Sequence, residues 1–196
     1  GLAKARGGKL LFSGQDLSIR PGEIVGITGP SGSGKSSLGD VLLGLLKPDA
    51  GEVIRLPQAK LVRYQKLYQD PPSAFPQKVT LGQAISDLVR LHRLDASRVQ
   101  PLMERLRLSS VLLTRLPTEV SGGELQRFAL LRVLLLDPVF VFADEPTSRL
   151  DLITQQETIE LLTELARERN CAVLLVSHDA AMIEKTCDRQ VQIGGA

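Results

Sequence analysis

Short, continuous apolar runs alternate along this chain with longer stretches in which apolar residues recur at helical spacing. Residues 24–28, 139–143 and 172–176 are runs of five that are rich in β-branched or other apolar side chains. A strand that is apolar on both faces is typical of a buried parallel sheet. Two further strands are predicted at 51–55 and 61–69, where shorter apolar patterns follow a turn.

Helices are predicted between these strands. Residues 36–46 have helical periodicity and end before a Lys-Pro-Asp-Ala-Gly turn. Leu152, Ile159, Leu162 and Ala166 recur at helical steps between the last two long strands, which predicts a crossover helix. Strands that alternate with helices in this way predict an α/β fold with a largely parallel sheet.

The stretch from about residue 71 to residue 116 has a different pattern, because no strand-like run interrupts it. Two helical stripes of apolar residues occupy it: Leu81, Ile85, Leu88 and Leu91, then Val99, Leu102, Met103 and Leu106. We interpret both stripes as core packing and the stretch as an all-helical insert in the α/β core.

Composition narrows the class of protein. The 196 residues suffice for one domain, and 43% hydrophobic with 23% charged residues excludes a disordered or collagen-like chain. The net charge of +2 predicts no nucleic-acid partner. Cys171 and Cys187 lack metal-ligand spacing and are expected to be reduced thiols. No apolar run reaches the ~18 residues that a membrane-spanning helix needs.

A glycine-rich loop lies between the first long strand and the first helix and fits the pattern GxxxxGK[ST]. Such a loop turns successive backbone N–H groups into one concavity at a helix start, which favours a polyphosphate. We expect Lys35 to reach the β- and γ-phosphates and the Ser36 hydroxyl to bind Mg²⁺. The residues assigned to nucleotide binding are Gly29, Pro30, Ser31, Gly32, Ser33, Gly34, Lys35, Ser36 and Ser37.

Two adjacent acids, Asp144 and Glu145, follow the apolar run at 139–143. Carboxylates at the end of a buried strand are costly unless positive charge lies nearby. The carboxyl ends of parallel strands are also where ligands bind in such sheets. We therefore expect Asp144 to hold Mg²⁺, through water, and Glu145 to orient and polarise an attacking water molecule.

The most specific motif is Val-Ser-Gly-Gly-Glu at residues 120–124, which resembles the LSGGQ signature of ABC-type ATPases. Ser121 lies 23 residues before Asp144, where that family places it. Gln69 resembles the family's Q-loop glutamine, and residues 148–151 resemble its D-loop. His178 follows the last long strand and resembles the switch histidine. Six such elements in order cover nearly the whole chain.

The resemblance implies a P-loop NTPase core with a mainly parallel sheet, a small antiparallel β portion and an all-helical insert. One domain would fill residues 1–196, with its core at 1–69 and 137–196 and a helical subdomain at about 70–136. Its substrate would be ATP with Mg²⁺. Glu145, His178, Lys35 and Gln69 would be catalytic. Ser36, Gln69 and Asp144 would bind the metal.

The resemblance also implies partners. Two ATPase subunits, identical or different, would pair head to tail, so that Ser121, Gly122 and Gly123 bind the ATP of the partner subunit. Permease subunits would hold the pair at the cytoplasmic face of the cell's inner membrane. The sequence is most similar to the ATPases of peptide, nickel and opine importers.

One position departs from the family pattern, and alternatives to transport stay open. An aromatic residue that stacks on adenine is expected near Ala5 or Arg6, and Arg6 could stack its guanidinium plane there instead. The chain could also be a soluble ABC ATPase that acts on nucleic acid or ribosomes. It could equally be a nucleotide-dependent switch without a transport role.

Overall fold

A five-stranded parallel sheet forms the centre of the structure, a computed structural model that describes residues 1–148 and 150–193. Its strands are β3 (Ile24–Thr28), β4 (Tyr64–Leu67), β5 (Phe140–Asp144), β6 (Ala172–Val176) and β7 (Arg189–Gln192). They lie in the order β4-β5-β6-β3-β7. An antiparallel hairpin of β1 (Leu2–Arg6) and β2 (Lys9–Gln15) forms a second, small sheet. The α/β fold with a mainly parallel sheet and a small antiparallel portion is therefore confirmed.

Six α-helices surround the strands in the described part of the chain. They are α1 (Lys35–Leu43), α2 (Leu81–His92), α3 (Val99–Arg105), α4 (Gly122–Leu135), α5 (Leu152–Glu168) and α6 (Ala180–Thr186). Short 3₁₀ turns connect several of them. All described elements between β4 and β5 are helical, as the apolar stripes predict.

The central strands are buried on both faces, which explains their continuous apolar sequence. In β5, Val141 packs into the core formed with α2 to α6, whereas Phe142 points into the core that α1 covers. In β6, Leu175 and Leu174 face the same two cores in turn. Side chains of successive strand residues point to opposite faces, so each strand contributes to both layers.

Strand register brings the carboxyl ends of four strands to one edge of the sheet. Val176 of β6 lies opposite Ile27 of β3 on one side and Asp144 of β5 on the other. Leu67 of β4 lies opposite Ala143. The segments that follow these strands, at residues 29, 145, 177 and 68, therefore emerge side by side.

Several predicted element bounds are wrong. Residues 51–55 form no strand, because they pair with no other strand among the described residues; the isolated bridge to Ala3 is made by the preceding residue, Ala50. The segment lines an apolar cavity of about 350 Å³ at the opposite edge of the sheet, with Phe140 and Ala172. The strand predicted at 61–69 is confined to 64–67 after a 3₁₀ turn. Helix α1 ends at Leu43, because Gly44 adopts the left-handed conformation (φ 80°) that ends helices.

Two leucines of the predicted apolar stripes do not pack in the core. Leu91 is 75% exposed and Leu152 is 80% exposed, since each lies near a helix end, beyond the part that meets the sheet or another helix. The division into a core at 1–69 and 137–196 and a helical subdomain at 70–136 stays a proposal. Residues 194–196, at the end of the predicted core segment 137–196, lie outside the described residues.

Neither cysteine forms a disulfide. Burial raises the pKa of the Cys171 thiol to about 12 and that of Cys187 to about 11. Among the described residues, no helix combines the length and the hydrophobicity that crossing a membrane requires.

Candidate active site

The glycine-rich loop joins β3 to α1, and its glycines occupy positions where other residues would be strained. Gly29 has φ +146°, and a Cβ there would lie 2.3 Å from the Ile193 carbonyl oxygen. Gly34 has φ +95°, and its Cβ would lie 2.8 Å from the Cβ of Leu11. As the N-cap of α1, Gly34 provides no side-chain cap, so no side chain closes the helix start. This arrangement fits a bound anion, because the N–H groups of a helix's first turn lack intrahelical partners.

Lys35 is the first residue of α1 and is buried at 7% exposure. Its Nζ donates hydrogen bonds to the carbonyl oxygens of Gly29 (2.8 Å) and Pro30 (2.9 Å). The ammonium therefore lies folded over the loop. The loop also contains the buried Ser33 hydroxyl, which has no hydrogen-bond partner within residues 1–148 and 150–193. A lysine ammonium and a buried hydroxyl at a glycine-rich turn are suitable donors for phosphate oxygens.

Ser36 and Asp144 meet across the edge of the sheet. The Ser36 hydroxyl donates to Asp144 Oδ1 over 3.1 Å. A hydroxyl beside a carboxylate, next to a phosphate loop, is a donor set that fits Mg²⁺, which takes one or two protein oxygens and completes its shell with water and phosphate. Groups of three or more acidic, histidine or cysteine side chains that could hold a metal ion are absent from the described residues.

The Glu145 carboxylate is held by two other predicted site residues. Its Oε1 lies 2.7 Å from His178 Nε2, and its Oε2 accepts a hydrogen bond from Gln69 Nε2 over 3.1 Å. Strand register explains the contact with Gln69, since each residue lies two positions beyond a matched pair, Leu67 and Ala143. Glu145 itself has φ +46°, a left-handed conformation that costs about 1 kcal/mol or more in a non-glycine residue. Its side chain is 18% exposed.

The loop and this carboxylate line the same concavity, which has a volume of about 300 Å³. Its lining includes Arg6, Leu11, Ser31, Gly32, Gly34, Lys35, Ser36, Ser37, Glu145 and His178. Arg6 ends β1, so the hairpin places it at the rim, although β1 and β2 themselves were not predicted from the sequence. Pro30 and Ser33 line a neighbouring concavity with residues of β2.

Ser121, Gly122 and Gly123 do not line that concavity. Ser121 is the N-cap of α4, and it forms a capping box with Glu124. The Glu124 carboxylate accepts hydrogen bonds from the Ser121 backbone N–H and from its hydroxyl, both over 2.8 Å. The backbone hydrogen bond from Ser121, followed by that from its hydroxyl, lowers the pKa of the Glu124 carboxyl. Glu124 is therefore a carboxylate at neutral pH.

The start of α4 packs against the start of α5. A Cβ at Gly123 would lie 2.8 Å from Thr154 Cγ2. Asp151 caps α5 by accepting hydrogen bonds from Thr154, and these bonds, from the side chain first, lower the pKa of its carboxyl. Arg149, in the segment that resembles the D-loop, lies outside the described residues.

Lys66 is a neighbour of the site that the sequence did not single out. Its Nζ lies 2.8 Å from Asp40 Oδ1 and 3.6 Å from Asp144 Oδ2. The only local signal is a lysine inside a strand that is otherwise suited to burial. Its partners lie on α1 and β5, and only the assembled sheet brings them together.

A parallel sheet with a phosphate loop, two carboxylates and a histidine at one edge is the fold of a P-loop nucleoside triphosphatase. The family model described as "ABC transporter" matches residues 12–148. The chain belongs to the ABC transporter family, and this fold is that of the family's ATP-binding domain.

Curated relatives and solved structures agree with this assignment. The nickel import ATP-binding protein NikE of Pseudomonas putida is 34% identical over all of this chain, which covers 77% of NikE. The oligopeptide transport ATP-binding protein OppF of Bacillus subtilis is 34% identical over 89% of this chain, which spans only 64% of OppF. The ATP-binding cassette MJ0796, solved as a dimer in a post-hydrolysis state with ADP and Pi, is 25% identical. It superposes with a TM-score of 0.79 over 98% of this chain and 90% of MJ0796.

Proposed function

We propose that this chain hydrolyses ATP and powers an ABC importer. The observation that supports the proposal most is the single concavity that contains both the phosphate loop and the Glu145 carboxylate. A phosphate-binding loop alone would support nucleotide binding. A carboxylate beside it, held by Gln69 and His178, adds the group that hydrolysis needs.

The reaction is an in-line attack of water on the γ-phosphorus. The first turn of α1 and Lys35 bind the phosphates, with Lys35 exchanging its loop carbonyls for phosphate oxygens. Glu145 orients the attacking water and accepts its proton, while the bond to the bridging oxygen breaks to give ADP and phosphate. His178 contacts one oxygen of the Glu145 carboxylate, and Gln69 contacts the other.

Mg²⁺, when bound, offsets the charge of the phosphate oxygens. Ser36 and Asp144 would hold it, and Gln69 would be a third protein ligand. We propose that Arg6, which lines the same concavity, stacks its guanidinium plane on adenine.

A second ATPase subunit would complete the site head to tail. Ser121, Gly122 and Gly123 are far enough from the concavity of their own chain not to line it, so they are free to serve the partner's ATP. The dimeric form of MJ0796 supports this arrangement. The partner could be a copy of this chain or a different ATPase.

The transport role follows from the relatives. NikE is named for nickel import and OppF for oligopeptide transport. We propose peptides, nickel or a related metal complex as cargo, and permease subunits that hold the ATPase pair at the cytoplasmic face of the inner membrane. The helical insert that follows Gln69 would transmit ATP-driven closure to them. No nucleic-acid partner is proposed.

The test compares wild type with Glu145→Gln and with Glu184→Gln, an exposed carboxylate on α6 as the matched control. We expect Glu145→Gln to lower phosphate release at least about 100-fold while ATP binding persists. Glu184→Gln should behave like wild type. Unchanged hydrolysis in Glu145→Gln would show that the catalytic assignment is wrong.

The transport role needs a separate measurement. Tagged Glu145→Gln protein with ATP is recovered from gently solubilised native membranes, and its partners are identified. A multi-spanning membrane subunit supports transport. Ribosomes, DNA or soluble partners alone would contradict transport and leave the ATPase activity standing.

A further inference from the structure

Lys66 is a mostly buried cation between two carboxylates. Its side chain is 13% exposed, and its Nζ lies 2.8 Å from Asp40 Oδ1 and 3.6 Å from Asp144 Oδ2. The same Nζ lies 5.4 Å from the ring centroids of Tyr68 and of Phe142. Ring faces attract a cation, and both carboxylates are within ion-pair distance of the Lys66 ammonium. Lys66 therefore brings positive charge directly beside the Asp144 carboxylate.

The two oxygens of Asp144 have different partners. Oδ1 accepts the Ser36 hydroxyl, and Oδ2 faces Lys66. The carboxylate is thus oriented with one oxygen toward the phosphate loop and the other toward the sheet. Groups that contact a metal's ligand from behind fix its orientation and tune its charge.

We propose that Lys66 is a positioning residue that limits how tightly the site takes Mg²⁺, with Asp40 controlling the strength of that effect. The proposal rests on the proposed function, since it concerns the Mg²⁺ that accompanies ATP. The positive charge of Lys66 partly offsets the negative charge of Asp144 and repels a divalent cation, so Lys66 weakens Mg²⁺ binding. Asp40, the nearer partner, draws Lys66 away from Asp144 and so moderates the effect.

The experiment measures the free Mg²⁺ concentration that gives half-maximal binding of trinitrophenyl-ATP at equilibrium. Lys66→Met removes the charge and keeps an unbranched apolar stem beside the two rings. We expect its Mg²⁺ midpoint to fall about tenfold. Asp40→Asn releases Lys66 toward Asp144 and should raise the midpoint about threefold. Lys66→Arg, which retains the charge, should stay within about twofold of wild type.

The double variant Asp40→Asn/Lys66→Met separates this effect from the loss of Asp40's own charge. If Asp40 acts through Lys66, Asp40→Asn leaves the midpoint unchanged within about twofold once Lys66 is methionine. Binding in EDTA is the baseline, and it should be equal in all variants, because Lys66 does not touch the phosphate loop. Thermal melting identifies a variant that fails to fold. If Lys66→Met fails, the expected rise in Asp40→Asn against an unchanged midpoint in Lys66→Arg still tests the proposal.

Failure of the proposed function and failure of the role of Lys66 give different results in this experiment. A wild-type protein that binds no trinitrophenyl-ATP at any Mg²⁺ concentration contradicts the proposed function. A wild type that binds with a clear Mg²⁺ dependence, while Lys66→Met and Asp40→Asn shift the midpoint in one direction or not at all, overturns the role of Lys66.

Discussion

The helices α1 and α4 both begin at segments assigned to phosphate binding, yet their first turns are closed in different ways. Gly34 caps α1 without any side-chain hydrogen bond. Ser121 caps α4 through a reciprocal capping box with Glu124. The first arrangement depends on backbone conformations that glycine tolerates, with φ of +95° at Gly34. The second depends on a side chain and brings a negative charge to the helix start.

We call residues 29–37 the loop half-site and residues 121–123 the signature half-site. The different caps indicate that the loop half-site needs less rearrangement to bind phosphate than the signature half-site does. At α1, the N-cap Gly34 makes no side-chain hydrogen bond, and Lys35 has only to exchange the neutral carbonyls of Gly29 and Pro30 for phosphate oxygens. At α4, the Ser121 hydroxyl must first leave the Glu124 carboxylate before the hydroxyl can donate to an anion. A carboxylate near an incoming phosphate also repels it. The loop half-site should bind ATP in the single subunit, whereas the signature half-site should engage only weakly.

Removing the cation of the loop half-site should have the largest effect. We expect Lys35→Ala to lower hydrolysis at least about 100-fold, because a preorganised charge at the phosphates is lost. Equilibrium binding of ATP and phosphate release measure the effect, with Lys78→Ala, an exposed lysine, as control. Binding of ATP as tight as in wild type would contradict the role of Lys35.

Paired glycine substitutions compare the two half-sites directly. Gly29→Ala should lower the free energy of unfolding by about 3 kcal/mol and abolish ATP binding, since its Cβ would collide with the Ile193 carbonyl oxygen. Gly122→Ala should change stability by less than about 0.5 kcal/mol, because among the described residues its Cβ would meet only Leu150, at 3.6 Å. Urea denaturation and ATP binding measure both. Equal destabilisation would mean that the two segments are equally constrained.

Neutralising the carboxylate at α4 should strengthen the weaker half-site. We expect Glu124→Gln to raise the fraction of ATP-dependent dimer severalfold, in the Glu145→Gln background that prevents turnover. Size-exclusion chromatography with light scattering measures the dimer. A lower dimer fraction would indicate that the Glu124 carboxylate supports the interface.

The same variant should change the response to acid. The pKa of Glu124 is lower in the folded protein than its ordinary 4.5, because Ser121 donates hydrogen bonds to the carboxylate. The stabilisation is therefore present above about pH 4.5 and is lost as the pH falls through the lower, folded value. Glu124→Gln should have a shallower loss of stability over this window in denaturation curves. An unchanged slope would show that the capping box contributes nothing to stability.

The smallest effect is expected at the adenine end of the loop half-site. Arg6→Ala should weaken ATP binding about two- to threefold, through loss of a stacking contact at the exposed rim. Inorganic triphosphate, which has no base, should bind both proteins equally. A loss with triphosphate as well would mean that Arg6 contacts the phosphates instead.

How far the sequence predicts this structure depends on how local each signal is. Strands β3 and β6 have the predicted bounds, because a run buried on both faces leaves an unambiguous apolar pattern. Residues 51–55 have a similar short pattern but no neighbouring strand, and a single segment cannot show whether a partner exists. Leu91 continues the helical spacing of α2 and is still exposed, since the period does not reveal where the contact surface ends.

For the candidate site too, some features could be predicted from the sequence and others could not. The motif order predicted which residues gather at the edge of the sheet, because parallel strands place their carboxyl ends together. The contacts among them were not predictable, including the Glu145 carboxylate shared by Gln69 and His178 and the ion pairs of Lys66. These depend on strand register and rotamers, which only the assembled sheet determines.

The close approach of Gly29 to Ile193 has a consequence for biosynthesis. The backbone N–H of Ile193 donates to Thr28, so the segment after β7 braces the start of the phosphate loop. The loop leaves the ribosome long before Ile193 does. Parallel strands that are distant in sequence pair late in folding. We therefore expect a nascent chain to stay unable to hold ATP until β7 and Ile193 have emerged from the ribosome.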